Sequence, residues 1–150
     1  MKNFFLVIIF LFITQCGYTP VYKGINKQDF KIVIINMEGN KHINNLIRTQ
    51  LKRHSVTNTS DVFDINVNTK YNKLILTKDK TGKATNLQLS VEATFEINYK
   101  NKVHIFKFDE NLNIENDSDA YEQRKYENII KNNFVQSILK KLILKLSGLK

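Results

Sequence analysis

The chain has no tryptophan, one proline, one cysteine and five glycines among 150 residues. One cysteine excludes an internal disulfide, so the fold has to be held by packing. So few glycines and prolines exclude collagen-like and low-complexity classes. Arginine occurs only at Arg48, Arg53 and Arg124, so lysine carries almost all of the net charge of +9. Catalytic signatures are missing as well. No G-x-S-x-G, H-E-x-x-H or phosphate-loop pattern occurs. His42, His54 and His104 stand at no metal-ligand spacing, with each other or with carboxylates. Glu92 and Glu96 lie four apart with no partner for acid–base work. The expectation is a protein that is not an enzyme and has no cofactor and no metal.

Hydrophobic residues make up 42% of the chain, which is globular rather than disordered composition. The positive balance suits an anionic partner such as nucleic acid, phospholipid or lipopolysaccharide. It equally suits compositional drift, since lysine, asparagine and isoleucine are all abundant while arginine is scarce. The lone cysteine has a telling position. Lys2 opens a short positive region, and residues 4–13 form an unbroken apolar run ending at Ile13. Ten residues fall short of the roughly 20 that span a bilayer but match the core of a signal peptide. Ile13-Thr14-Gln15-Cys16 then resembles the lipobox of bacterial lipoproteins, with Gln15 departing from the usual small residue. The resemblance implies cleavage before Cys16 and a diacylglycerol on its sulfur, an anchor made by burying methylenes. Gly17 follows, with no aspartate there to resemble an inner-membrane retention signal, so the outer membrane is the expected destination. Export also excludes nucleic acid as a partner.

Three regions follow: residues 1–15 as signal peptide, 16–29 as lipidated tether, and 30–150 as one domain. In that domain Phe30–Asn36 is β-branched and apolar, a strand. Asn40 can cap a helix over His42–His54, where Ile43, Leu46, Ile47 and Leu51 share one stripe. Asp61–Lys78 reads mostly as strand, and Asp79–Gly82 as a hairpin turn. From Leu87 to Ile97 apolar and polar residues alternate without a break, the clearest signal in the chain, so one face is buried and the other wet. Val103–Phe108 begins another strand, and a polar stretch, Asn111–Asp117, leads to a terminal helix. Asp119 and Glu122 have capping-box spacing; Tyr126, Ile129, Ile130, Phe134, Ile138, Leu142 and Leu146 form the helix's apolar face. The fold class is therefore α+β: a two-layer sandwich of two helices on a four-stranded, mostly antiparallel sheet.

Cys16-Gly-Tyr-Thr-Pro-Val-Tyr22 resembles the start of LptE, the lipopolysaccharide-assembly lipoprotein, in its alphaproteobacterial form. Asp79–Leu89 is similar to that family's turn and long strand, and Asp119–Arg124 to the opening of its last helix. The resemblance implies a protein that plugs the LptD β-barrel and assists lipopolysaccharide assembly at the outer membrane, with no reaction. The alternative is another small periplasmic lipoprotein that acts as an envelope-assembly factor. On this reading Gln88, Ser90 and Thr94, on the wet strand face, are candidate barrel contacts, because large barrels have hydrophilic interiors. Lys73, Lys78, Lys80 and Lys83, around the hairpin turn, are candidate lipopolysaccharide contacts, or else ordinary solvated lysines.

Overall fold

A computed structural model describes residues 30–56 and 59–149; the leader, Cys16 and the tether lie outside them. The elements run β1 (Lys31–Gly39), α1 (Lys41–Lys52), β2 (Val62–Lys78), β3 (Ala84–Tyr99), β4 (Lys102–Glu115) and α2 (Ala120–Ser147). The sheet order is β1-β2-β3-β4. β1 and β2 pair in parallel, joined through α1, and β2, β3 and β4 form an antiparallel meander. Both helices lie on one face, giving the two-layer α+β sandwich.

Alternation in β3 decides which face is covered. Leu87, Leu89, Val91, Ala93, Phe95 and Ile97 are all buried. Cross-strand partners repeat the pattern: Phe95 lies between Val67 and Phe106, and Ala93 between Thr69 and Phe108. α1 contributes Ile43, Ile47 and Leu51 to this core. α2 contributes chiefly its second half, from Phe134 to Leu146.

Gly39 ends β1. Its φ is +94°, and a Cβ there would sit 1.8 Å from the Thr69 carbonyl oxygen. Only glycine allows both. The chain then leaves the sheet: Asn40 N–H donates to that carbonyl, while the Asn40 side chain accepts from Ile43 N–H and caps α1. Beneath the cap Thr69 Oγ1 is 2.7 Å from Asn44 Oδ1. The hydroxyl donates in that contact.

Three expectations need correction. Asn111–Glu115 continues β4 instead of forming a linker. Its asparagines face water while Leu112 and Ile114 face inward, so a period of two lay inside a segment that read as uniformly polar. Tyr126 and Ile129 are not on the buried face of α2: they are 48% and 51% exposed. Gln123 and Glu127 are buried in their place. There the helix meets Lys73 of β2, and a carboxylate answers an ammonium group better than an apolar side chain does. The capping box also forms only in part. Asp119 accepts from Tyr121 and Glu122 N–H, but the Glu122 carboxylate pairs with Lys125 instead of reaching back.

Candidate functional site: the open sheet face and the hairpin tip

The uncovered face of the sheet is built by the second set of alternating residues. On β2 these are Asp64, Asn66, Asn68, Lys70 and Asn72. On β3 they are Asn86 to Asn98, and on β4 Lys107, Asp109, Asn111 and Asn113. The three residues singled out from the sequence fall here together. Gln88 lies between Leu74 and Asn113, Ser90 between Asn72 and Asn111, and Thr94 between Asn68 and Lys107. Gln88 Nε2 donates to Asn113 Oδ1 at 3.1 Å, and Asn66 Nδ2 to Glu96 Oε1 at 3.1 Å. Thr94, Asn66, Asn68, Glu38 and Glu96 border a shallow hollow of about 310 Å³. The face thus offers amide and hydroxyl groups that both donate and accept, with carboxylates interspersed. Exposed apolar side chains interrupt it towards its ends, at Leu74 on one side and at Val62, Val103 and Ile105 on the other.

The face extends beyond the three β3 candidates to neighbours on β2 and β4 that the sequence analysis does not single out. The signal was present in β2, where Phe63, Ile65 and Val67 alternate with Asp64, Asn66 and Asn68.

At the hairpin tip one carboxylate organises the turn. Asp79 Oδ1 accepts from Thr81 N–H (2.8 Å), Thr81 Oγ1 (2.6 Å) and Lys83 N–H (3.0 Å). The Thr81 hydroxyl, then the Lys83 backbone, hold its carboxyl below the usual range. Gly82 takes the left-handed conformation, φ +84°. Lys78, Lys80 and Lys83 are exposed around this turn. Lys73 is not with them. It faces inward opposite Leu89, and its Nζ is 2.5 Å from Glu127 Oε1 on α2. The tip therefore gathers three of the four lysines.

The Lys73–Glu127 pair belongs to a polar cluster under the first half of α2. Gln123 Nε2 also donates to Glu127 Oε1, at 2.8 Å. Burial works to raise the Glu127 pKa, but hydrogen bonds from Lys73 and Gln123 outweigh it and hold the carboxyl low. The nearby Tyr71 hydroxyl is buried beside Glu127 and makes no well-formed hydrogen bond among the described residues. Burial, and then the Glu127 charge, push its pKa up to about 12. Lys131 Nζ sits 4.5 Å from the centre of the Tyr71 ring. Among the described residues no three histidine, cysteine or acidic side chains come together as metal ligands.

The two-helix, four-strand architecture is similar to that of solved structures of bacterial lipoproteins. It resembles the crystal structure of rare lipoprotein B from Shewanella oneidensis, with a TM-score of 0.55 at 18% identity, over 78% of this chain and 98% of that one. A minor lipoprotein from Acinetobacter baumannii superposes with a TM-score of 0.49 at 16% identity, over 73% of this chain and 93% of that one. No protein-family model and no curated protein sequence matches the chain.

Proposed function

We propose that this protein is an envelope lipoprotein, anchored in the outer membrane through Cys16, that seats its open sheet face inside an LptD-type β-barrel and assists lipopolysaccharide assembly. One observation carries the reading: a continuous amide- and hydroxyl-rich face over three strands, with Gln88, Ser90 and Thr94 on its central strand. Such a face can exchange its water for the polar lumen of a large barrel without leaving buried polar groups unpaired. The fold shared with rare lipoprotein B supports the envelope part of the reading. The leader and the residues before Cys16 support the lipid anchor. The exposed lysines of the tip, Lys78, Lys80 and Lys83, are placed to meet lipid phosphates as mobile point charges.

Photo-crosslinkers introduced at Gln88, Ser90 and Thr94 test it in cells. Adducts to one large barrel protein, lost when the crosslinker is moved to exposed positions of α1 such as Asn45, are the expected result. Equal yields from both faces, or no barrel adduct, would count against it. Cys16→Ala should shift the protein to the soluble fraction or leave its leader uncleaved.

A further inference from the structure

β2 is almost twice as long as the strand beside it. β1 runs 9 residues and β2 runs 17. The β1–β2 register ends at Gly39 opposite Thr69. Beyond it, Lys70–Lys78 pairs with β3 on one side only. The Thr69 carbonyl points to the β1 side, where Asn40 N–H meets it. By the two-residue period of a strand, the N–H and C=O groups of Tyr71, Lys73 and Ile75 point to that same edge, where no described residue pairs with them.

The other uses of this flank differ. At its start, β1's own outer edge is partly closed: Ile32 N–H donates to Ser55 Oγ, and Val56 N–H donates to the Phe30 carbonyl. A bulge between Ile34 and Asn36 then breaks its line. The upper edge of β2 has neither a cap nor a covering element among the described residues. Its burial pattern also changes. Phe63, Ile65, Val67 and Thr69 are buried on alternate positions, whereas Leu74, Ile75 and Leu76 are 57%, 48% and 42% exposed in succession. Three consecutive exposed aliphatic residues on a strand with one unpaired edge are what a docking edge requires and what an unused edge avoids.

We infer that the β2 edge from Lys70 to Lys78 accepts an extended segment of another polypeptide, one that alternates apolar with acidic residues, as an added strand. Backbone hydrogen bonds to Tyr71, Lys73 and Ile75 hold the segment, and side-chain pairs select it. On the inner side it meets Tyr71, Lys73 and Ile75; on the open side it meets Lys70, Asn72 and Leu74. Apolar residues suit Tyr71, Ile75 and Leu74, and acids suit the lysines. Lys78 and Lys131 add to the positive field. Glu127 stands against Lys73 and also feels Lys131, and Glu92 faces Lys70 from β3, so two acids stand against the four cations Lys70, Lys73, Lys78 and Lys131. Repulsion between lysines also disfavours pairing of this edge with a second copy of itself. The inference is independent of the barrel reading, which concerns the sheet's face and not its edge.

Amide hydrogen exchange on the full chain in detergent is the test. The probe is a synthetic peptide of about eight residues, a common strand length, alternating valine and glutamate; its counterpart carries lysine for glutamate. The glutamate peptide should slow exchange at Tyr71, Lys73 and Ile75 and bind about ten-fold tighter than the lysine peptide at low salt. Ile75→Pro removes one edge-facing N–H without taking a bond from the sheet, and it should abolish this protection while β3 and β4 amides stay protected. No slowing of these amides by the glutamate peptide overturns the inference. So does equal binding of both peptides, or unchanged binding by Ile75→Pro. Protection that rises with protein concentration in the absence of peptide would assign the edge to a second copy and overturn it as well.

Discussion

From Phe134 to Leu146 the long helix α2 turns only apolar side chains into the core, with Val135, Ile138 and Leu142 fully enclosed. From Ala120 to Lys131 the same helix buries Gln123, Glu127 and one isoleucine, Ile130, and leaves Tyr121, Tyr126 and Ile129 in water. The sheet mirrors this division. Its rows around Phe63, Ile65 and Phe95 are closed over by α1 and α2, and its far rows around Ile75 and Leu112 are half open. The two ends are held by forces of different size. Burying one large apolar side chain is worth about 1.5–3 kcal/mol, while an ion pair with one partner in water, like Lys73 with Glu127, is worth about 0–1 kcal/mol. Stability therefore sits at the α1 end, and the hairpin end, which carries the lysines and the unpaired β2 edge, is the part that opens at low cost.

Substitutions can break this contrast. The largest effect is expected in the packed half. Leu142→Ala removes a fully buried side chain and should lower unfolding free energy by about 2–5 kcal/mol in chemical denaturation. Gly39→Ala strikes the boundary between the two ends. It adds a Cβ 1.8 Å from the Thr69 carbonyl oxygen at a left-handed φ. Strain of this kind costs about 1–3 kcal/mol, and the end of β1 has to move off β2, which faster exchange at Asn40 N–H would report. Asp119→Ala deletes the α2 cap. A loss of about 1 kcal/mol is expected, with exchange accelerated at Tyr121 and Glu122 and unchanged near Leu142.

Glu127→Gln sharpens the comparison through pH. The folded protein holds this carboxyl below its ordinary value, so it stabilises the fold above the ordinary carboxylate range, and that contribution disappears as pH falls through the lowered value. Glutamine should therefore flatten the acid limb of the stability–pH profile. Glu110, also held low by Lys141 and Ser137 against the cost of burial, keeps part of that limb. An acid limb identical to wild type would mean that the polar cluster does not hold the helix. The smallest effect is expected from Ile129→Asn. Although aliphatic and at helical spacing, the side chain is 51% exposed, so the change should stay within about 0.5 kcal/mol.

The parts of the fold legible in the sequence are those where neighbouring positions decide the outcome. Asn40 and Asp119 cap their helices as read, because a cap needs only the N–H groups two or three residues on. The β3 alternation gave its buried set correctly, because a strand with one wet face must pattern with period two. Elsewhere polar residues hide that period. Asn111–Glu115 looked like a linker because two of its residues face inward and the others are polar, yet it pairs with β3 to its end. The open face was found through Gln88, Ser90 and Thr94, but its width across β2 and β4 depended on register. The lysine group was overdrawn for a similar reason. Proximity in sequence placed Lys73 with the tip, and the inward side of β2 gave it to Glu127 instead.

By itself the sequence determined the class of fold, the helix starts, the hairpin turn at Asp79–Gly82 and the separation of a wet from a dry sheet face. All of these follow from backbone preferences and from a periodicity readable within a few turns of chain. The tertiary structure alone decided that β1 leaves β2 at Thr69, that a carboxylate and an amide stand under the first half of α2, and that Tyr126 and Ile129 face water. Each of those outcomes depends on which residue, distant in sequence, stands opposite. A helical or strand period fixes which side chains share a face; it does not fix what that face meets.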